Sequence, residues 1–114
     1  MKSFLILGVV IGLLFIFVKH IQSKGDRDMV KQWIQNGAIV VDVRTKSEYS
    51  EGHYSGAINI PVDVLPANLN QLKDKQKKII VYCRSGARSE RAKQILETSG
   101  YSSVINAGGL GDMP

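Results

Sequence analysis

Val81-Tyr82-Cys83-Arg84-Ser85-Gly86-Ala87-Arg88-Ser89-Glu90-Arg91 decides the fold. The apolar run from Ile79 to Tyr82 reads as a strand that delivers the only cysteine to its end. A loop of small residues and arginines follows. A helical pattern then opens near Arg88, with Ala92, Ile95 and Leu96 on one face and Gly100 as its stop. Strand, loop and helix in that order form an anion cradle, because backbone N–H groups converge at the loop and the helix N-terminus adds partial positive charge. Arg84 and Arg88 add two full charges. A thiol placed there ionises more readily than a free cysteine, whose pKa is about 8.5. The bland alternative is an inert cysteine at a strand end. Two arginines around a Ser-Gly-Ala loop fit it poorly.

Working outward, the 114 residues suit one domain, and 44% hydrophobic content is that of a globular chain. The net charge is +5; without residues 1–23, which hold Lys2 and Lys19, it is +3. The basic residues are scattered and show no aromatic-basic stripe, so nucleic acid is not an expected partner. A mild positive field favours anionic substrates or lipid. A single cysteine excludes an internal disulfide and a cysteine-based metal cluster within one chain. His20 and His53 lack ligand spacing, so no metal is expected.

Phe4 to Val18 is an unbroken run of fifteen apolar or glycine residues between Lys2 and Lys19. As a helix it would be about 22 Å long, and extension to Ile21 with Lys19 and His20 snorkelling brings it nearer a bilayer core of ~30 Å. Residues 1–23 therefore read as a transmembrane anchor or a signal segment, with membrane contact through residues 4–21. Ser23-Lys24-Gly25 is a poor cleavage triplet, which favours an uncleaved single-span anchor. Lys19, Lys24, Arg27 and Lys31 after the span outnumber Lys2, which favours a cytoplasmic domain, with export as the alternative.

Residues 24–114 form the domain. Asp28 to Asn36 is expected as a helix with Met29, Val30, Trp33 and Ile34 on one face. Ala38 to Val43 reads as a buried parallel strand. Thr45-Lys46-Ser47-Glu48 is a capping box opening a short helix that stops at Gly52. Ala57 to Ile60 is a second strand, closed by Pro61. Leu65, Leu69 and Leu72 suggest a third helix with Pro66 in its first turn. Lys73 to Lys78 is a charged turn, Lys78 to Tyr82 the central strand, and Ser103 to Asn106 a last strand before a turn at Gly108-Gly109. The alternation predicts an α/β domain with a mainly parallel sheet. Ligands of such sheets sit at the carboxyl ends of strands, where Cys83 falls.

Four pieces carry a resemblance: Val41-Asp42-Val43-Arg44 with Glu48-Tyr49; Gly52-His53-Tyr54-Ser55-Gly56-Ala57-Ile58-Asn59-Ile60-Pro61; Val81-Tyr82-Cys83 with its loop; and Asn106-Ala107-Gly108-Gly109. In that order they resemble a single-domain rhodanese over about residues 28–114, and the ending is similar to small bacterial phage-shock rhodaneses. The resemblance implies a central five-stranded parallel sheet flanked by helices. It implies transfer of sulfane sulfur from thiosulfate, or a similar donor, to a thiol or cyanide, with no organic cofactor and no metal. Cys83 would carry the sulfur as a persulfide. Substrate binding would fall to Arg84, Ser85, Gly86, Ala87, Arg88 and Ser89. Asp42 and Arg44 read as structural partners near the site, His53 as a loop residue and Trp33 as core.

The chain departs from the family pattern in Tyr54-Ser55, where many relatives carry Ile-Pro, and in lacking a longer final helix. A strand before the first helix would have to come from the linker. One rival is a phosphatase or arsenate reductase of the same fold, which needs Cys, five residues, then Arg. Here the arginine, Arg88, arrives one position early and Ser89 stands in its place. A second rival is a persulfide carrier or sulfur-relay module serving a membrane partner.

Overall fold

The structure, a computed structural model, describes residues 27–114. The expected anchor over residues 4–21 lies outside the described residues. Among those described, no helix is long and apolar enough to cross a membrane.

The order is α1 (27–35), β1 (Ile39–Asp42), α2 (Lys46–Glu51), β2 (Ile58–Asn59), β3 (Ile79–Cys83), α3 (Ala87–Thr98) and β4 (Val104–Gly109). The strands form one parallel sheet in the order β2-β1-β3-β4. The described residues thus supply four strands, not five. A strand drawn from the linker would fall before residue 27, outside the described residues.

The central strand β3 is buried at all five positions, because both faces of the sheet are covered. Its side chains alternate between two cores. Ile79, Val81 and Cys83 face Ala92 and Leu96 of α3, together with Val62, Leu65 and Leu72. Ile80 and Tyr82 face Val30, Trp33 and Ile34 of α1, with Ile105 and Met113. Leu110, which opens a 3-10 turn at Leu110–Asp112, and Met113 just after it pack on the second core. On α1, Val30 is buried but Met29 is exposed, so the apolar face is narrower than its periodicity suggested.

The third helix expected through Leu65, Leu69 and Leu72 is instead two 3-10 turns, Val62–Ala67 and Leu69–Gln71. Pro66 lies inside the first and has no N–H to continue an α-helical ladder. Leu65 and Leu72 still reach the core. The last strand runs through Gly109 rather than ending at Asn106. Val81 pairs with Asn106, whereas Cys83 pairs with Gly109, so β4 carries one extra residue. That bulge sets Gly108 and Gly109 beside the cysteine.

The site's position follows from topology. From β1 the chain moves outward to β2, then returns to the other side of β1 for β3 and β4. The crevice between the carboxyl ends of β1 and β3 is the switch point where parallel sheets bind ligands.

Candidate active site

Cys83 is a free, buried cysteine, 1% exposed, at the carboxyl end of β3. The Gly86 N–H donates to its sulfur at 3.0 Å, and the Ser89 hydroxyl lies 3.3 Å away. Gly86 bends the loop back with φ of +102°, a value suited to glycine, and becomes the N-cap of α3. Burial pushes the thiol pKa up, but the Ser89 hydroxyl and the backbone N–H groups of Ser89, Ser85 and Gly86 outweigh it, and the net shift is downward. The shift favours the thiolate, in a place too enclosed for bulky electrophiles.

The loop is seated on β4. A Cβ on Gly109 would fall on the Arg84 carbonyl, and one on Gly86 would touch the Gly108 backbone. Asn106 ties the same parts together: its Nδ2 donates to the Gly86 carbonyl at 3.1 Å, and its Oδ1 accepts from Ser89 at 2.7 Å and from Gly108 N–H at 2.9 Å.

The two arginines differ. Arg84 is exposed at the rim. Arg88 is engaged: its guanidinium donates twice to Glu48, at 2.6 and 3.0 Å. The expectation of two free cations is corrected accordingly, because the capping-box glutamate of α2 already neutralises one. Hydrogen bonding from Arg88, and secondarily from Thr45, holds the Glu48 carboxyl down at about 2 from its ordinary 4.5. A depressed carboxylate stabilises the fold above the unfolded value and loses that contribution as pH falls through the folded one. Glu48→Gln should therefore flatten the stability profile between about pH 4.5 and 2, read by thermal melts across that window. An unchanged slope would mean that the pair contributes nothing to stability.

Beneath the crevice Asp42 and Arg44 form a buried ion pair, 2.7 Å from Nη2 to Oδ2. Tyr82 donates its hydroxyl to the same carboxylate at 2.8 Å, and Arg44 also donates to the Gly52 carbonyl at 2.6 Å. Burial pushes the Tyr82 hydroxyl up to about 12, so it stays a donor. None of the three bonds the sulfur. His53 is exposed and stacks on the Tyr49 ring at 3.7 Å. The structure therefore gathers Ser85, Gly86 and Ser89 around Cys83 and sets Arg88 and Arg84 at the rim. Asn106 and Glu48 fall within the pieces that carry the resemblance, and Glu48 in the capping box, but neither pattern marks them as site residues. Among the described residues, no three or more His, Cys, Asp or Glu side chains are grouped so that they could hold a metal ion.

This geometry has known counterparts. The model of the rhodanese-like domain matches residues 26–111. The chain belongs to the rhodanese-like family. It is 42% identical over 74 residues to the thiosulfate sulfurtransferase PspE of Escherichia coli, a match covering 64% of this chain and 71% of that protein. A solved structure described as a rhodanese with anions from E. coli superposes with a TM-score of 0.64 at 41% identity, covering 68% of this chain and 95% of that one. The tRNA uridine(34) hydroxylase of Erwinia tasmaniensis is 39% identical over 77 residues, covering 63% of this chain but only 22% of that enzyme. This rhodanese-like chain thus spans about a fifth of the hydroxylase and most of the sulfurtransferase.

Proposed function

We propose that the protein is a sulfurtransferase that carries sulfane sulfur on Cys83. What supports this most is the sulfur itself, met at 3.0 Å by the Gly86 N–H at the mouth of a loop only six residues long from Cys83 to Arg88. In the first step the Cys83 thiolate attacks the outer sulfur of thiosulfate or a similar donor. A sulfur–sulfur bond forms, and the electron pair of the donor's own bond leaves with sulfite. The persulfide then bears the negative charge on its outer sulfur, where the backbone N–H groups of residues 84–88 stabilise it. In the second step a thiol or cyanide attacks that outer sulfur, and the pair returns to Cys83 as thiolate.

Arg84 supplies the free charge that draws in the donor dianion, while Arg88, shared with Glu48, sets the shape of the rim. The phosphatase alternative is weakened by Ser89 in the arginine position and by the pairing of Arg88 away from the loop centre. The apolar run through residues 4–21 would tether residues 24–114 to a membrane and place the sulfur within reach of a partner there.

The test is intact mass of the purified chain after incubation with thiosulfate. A gain of one sulfur, about 32 Da, that disappears on adding cyanide or a thiol is the expected result. A reduced, folded protein that takes up no sulfur from thiosulfate or from a persulfide donor would refute the proposal.

A further inference from the structure

Ser89 is completely buried, and its hydroxyl lies among three acceptors: Asn106 Oδ1 at 2.7 Å, Cys83 Sγ at 3.3 Å and the Gly108 carbonyl at 3.4 Å. A hydroxyl has one proton to give, so these acceptors compete. The orientation of the Asn106 amide is fixed by its other partners. Its Oδ1 accepts from Gly108 N–H at 2.9 Å, and its Nδ2 donates to the Gly86 carbonyl and to Glu90 Oε2, both at 3.1 Å. A flipped amide would set donor against donor at Gly108 and acceptor against acceptor at Gly86 and Glu90. An amide oxygen therefore faces Ser89, in direct competition with the sulfur.

Which acceptor wins depends on the charge of the sulfur. A neutral thiol is a weak acceptor, so the proton belongs to Asn106. A thiolate makes a charge-assisted bond, roughly twice as strong as a neutral one, and draws the hydroxyl round. In a persulfide the charge sits one bond, about 2.05 Å, further out, and the inner sulfur is again a weak acceptor. We propose that Ser89 is a two-position hydrogen-bond switch, turned to Cys83 in the thiolate and to Asn106 when the sulfur is protonated or loaded. Ser89 touches the reacting atom; Asn106 acts through Ser89 as a positioning residue.

The part concerning the loaded state rests on the sulfurtransferase reading; the part concerning the thiol does not. In chemical terms, the acceptor's electron pair attacks the outer sulfur, the sulfur–sulfur pair returns to Cys83, and the Ser89 O–H rotates onto it without losing its proton. The switch lowers the energy of the empty thiolate and not of the loaded enzyme, so it favours delivery over storage.

Two measurements on the full chain test this. The first is the pH profile of Cys83 alkylation by iodoacetamide, which needs no sulfur transfer. Arg84, Arg88 with Glu48, Glu90, Asp42 with Arg44, and Asp112 are the charged groups packed around this end of the sheet, and all remain in the variants. Ser89→Ala should raise the thiol's apparent pKa by about one unit, a tenfold loss of acidity. Asn106→Leu or Asn106→Ala, which removes the competitor, should move it in the opposite direction in the presence of Ser89 and leave it unmoved beside Ser89→Ala. A shift of the same sign in both single variants, or an Asn106 effect that persists without Ser89, would overturn the switch in favour of simple loop support.

The second measurement needs no Asn106 variant. It is the loaded fraction, by intact mass, in fixed mixtures of thiosulfate and sulfite at a pH where the thiol is ionised in both proteins. Ser89→Ala should be loaded severalfold more at equilibrium. Equal or lower loading would overturn the asymmetry between thiolate and persulfide. Failure of the unaltered protein to load at all would refute the sulfurtransferase reading instead, with the alkylation profile still deciding the switch.

Discussion

Cys83→Ser is expected to abolish sulfur loading while leaving the fold in place. A serine hydroxyl is not ionised near neutral pH, so the attacking anion is missing, and an oxygen carrier could not return sulfur by thiolate departure. The oxygen is smaller and more polar than the sulfur, but the side chain keeps its shape and meets hydrogen-bond partners in the loop. Gly86 N–H and the Ser89 hydroxyl, which approach the sulfur at 3.0 and 3.3 Å, still face an acceptor. The stability change should stay within about 1 kcal/mol, as for substitutions that leave no cavity and no unpaired polar group. Cys83→Ala is the harsher control, because it strips the acceptor from the loop and opens a small cavity beside Val81 and Ala92. The measurements are thiocyanate formation from thiosulfate and cyanide, intact mass, and a thermal melt. Residual turnover in the serine variant at more than about a thousandth of the parent rate would sink the covalent route, since nucleophilic catalysis through this atom leaves no second path.

That expectation could be framed from sequence because the relevant information is local. An apolar run of strand length, a Ser-Gly-Ala loop and a helical periodicity occupy twenty consecutive residues, and each element constrains the next. The capping box is local too: Thr45 and Glu48 exchange their bonds across three residues, and α2 begins and ends as its pattern says. Where the reading failed, the deciding forces are not local. Leucines at 65, 69 and 72 suit a helical face, but they suit two 3-10 turns equally well, and Pro66 and the packing beneath α3 decide between them. Gly108-Gly109 reads as a turn in isolation; pairing with β3 makes it strand.

The same holds within the site. Cys83 and its donors lie within seven consecutive residues. The partner of Arg88 is Glu48, forty residues away, and the partner of Ser89 is Asn106, seventeen away. No periodicity links such positions. An asparagine near a Gly-Gly pair carries the ordinary signature of a turn former, so Asn106-Ala107-Gly108-Gly109 contributes to the resemblance without showing that Asn106 binds the cysteine loop to β4.

Arg44→Ala is expected to damage the fold rather than the chemistry. Asp42 has no exposed surface and Arg44 only 7%, so their ion pair sits in the low-dielectric floor of the crevice. With the guanidinium gone, the carboxylate keeps the Tyr82 hydroxyl at 2.8 Å and the backbone N–H of residue 44 at 2.9 Å. Those donors do not cancel its charge. The 2.6 Å bond that clips the Gly52 carbonyl to the end of β1 is lost as well. Breaking a buried pair from one side costs about 3–5 kcal/mol, against a total stability of about 5–15 kcal/mol for a domain. For a domain of this size that is a fall in Tm of at least about 12 °C.

A catalytic role would give the opposite pattern, a lost rate with an unchanged melt. Neither Asp42 nor Arg44 bonds the sulfur, so sulfur loading measured well below the lowered Tm should persist. Asp42→Asn combined with Arg44→Ala should cost less than the two changes added, since the second removes a partner already made neutral. If Arg44→Ala melted within a degree of the parent and failed to load sulfur, the pair would belong to the chemistry. The floor of the crevice would then have to be read as part of the reaction rather than as its support.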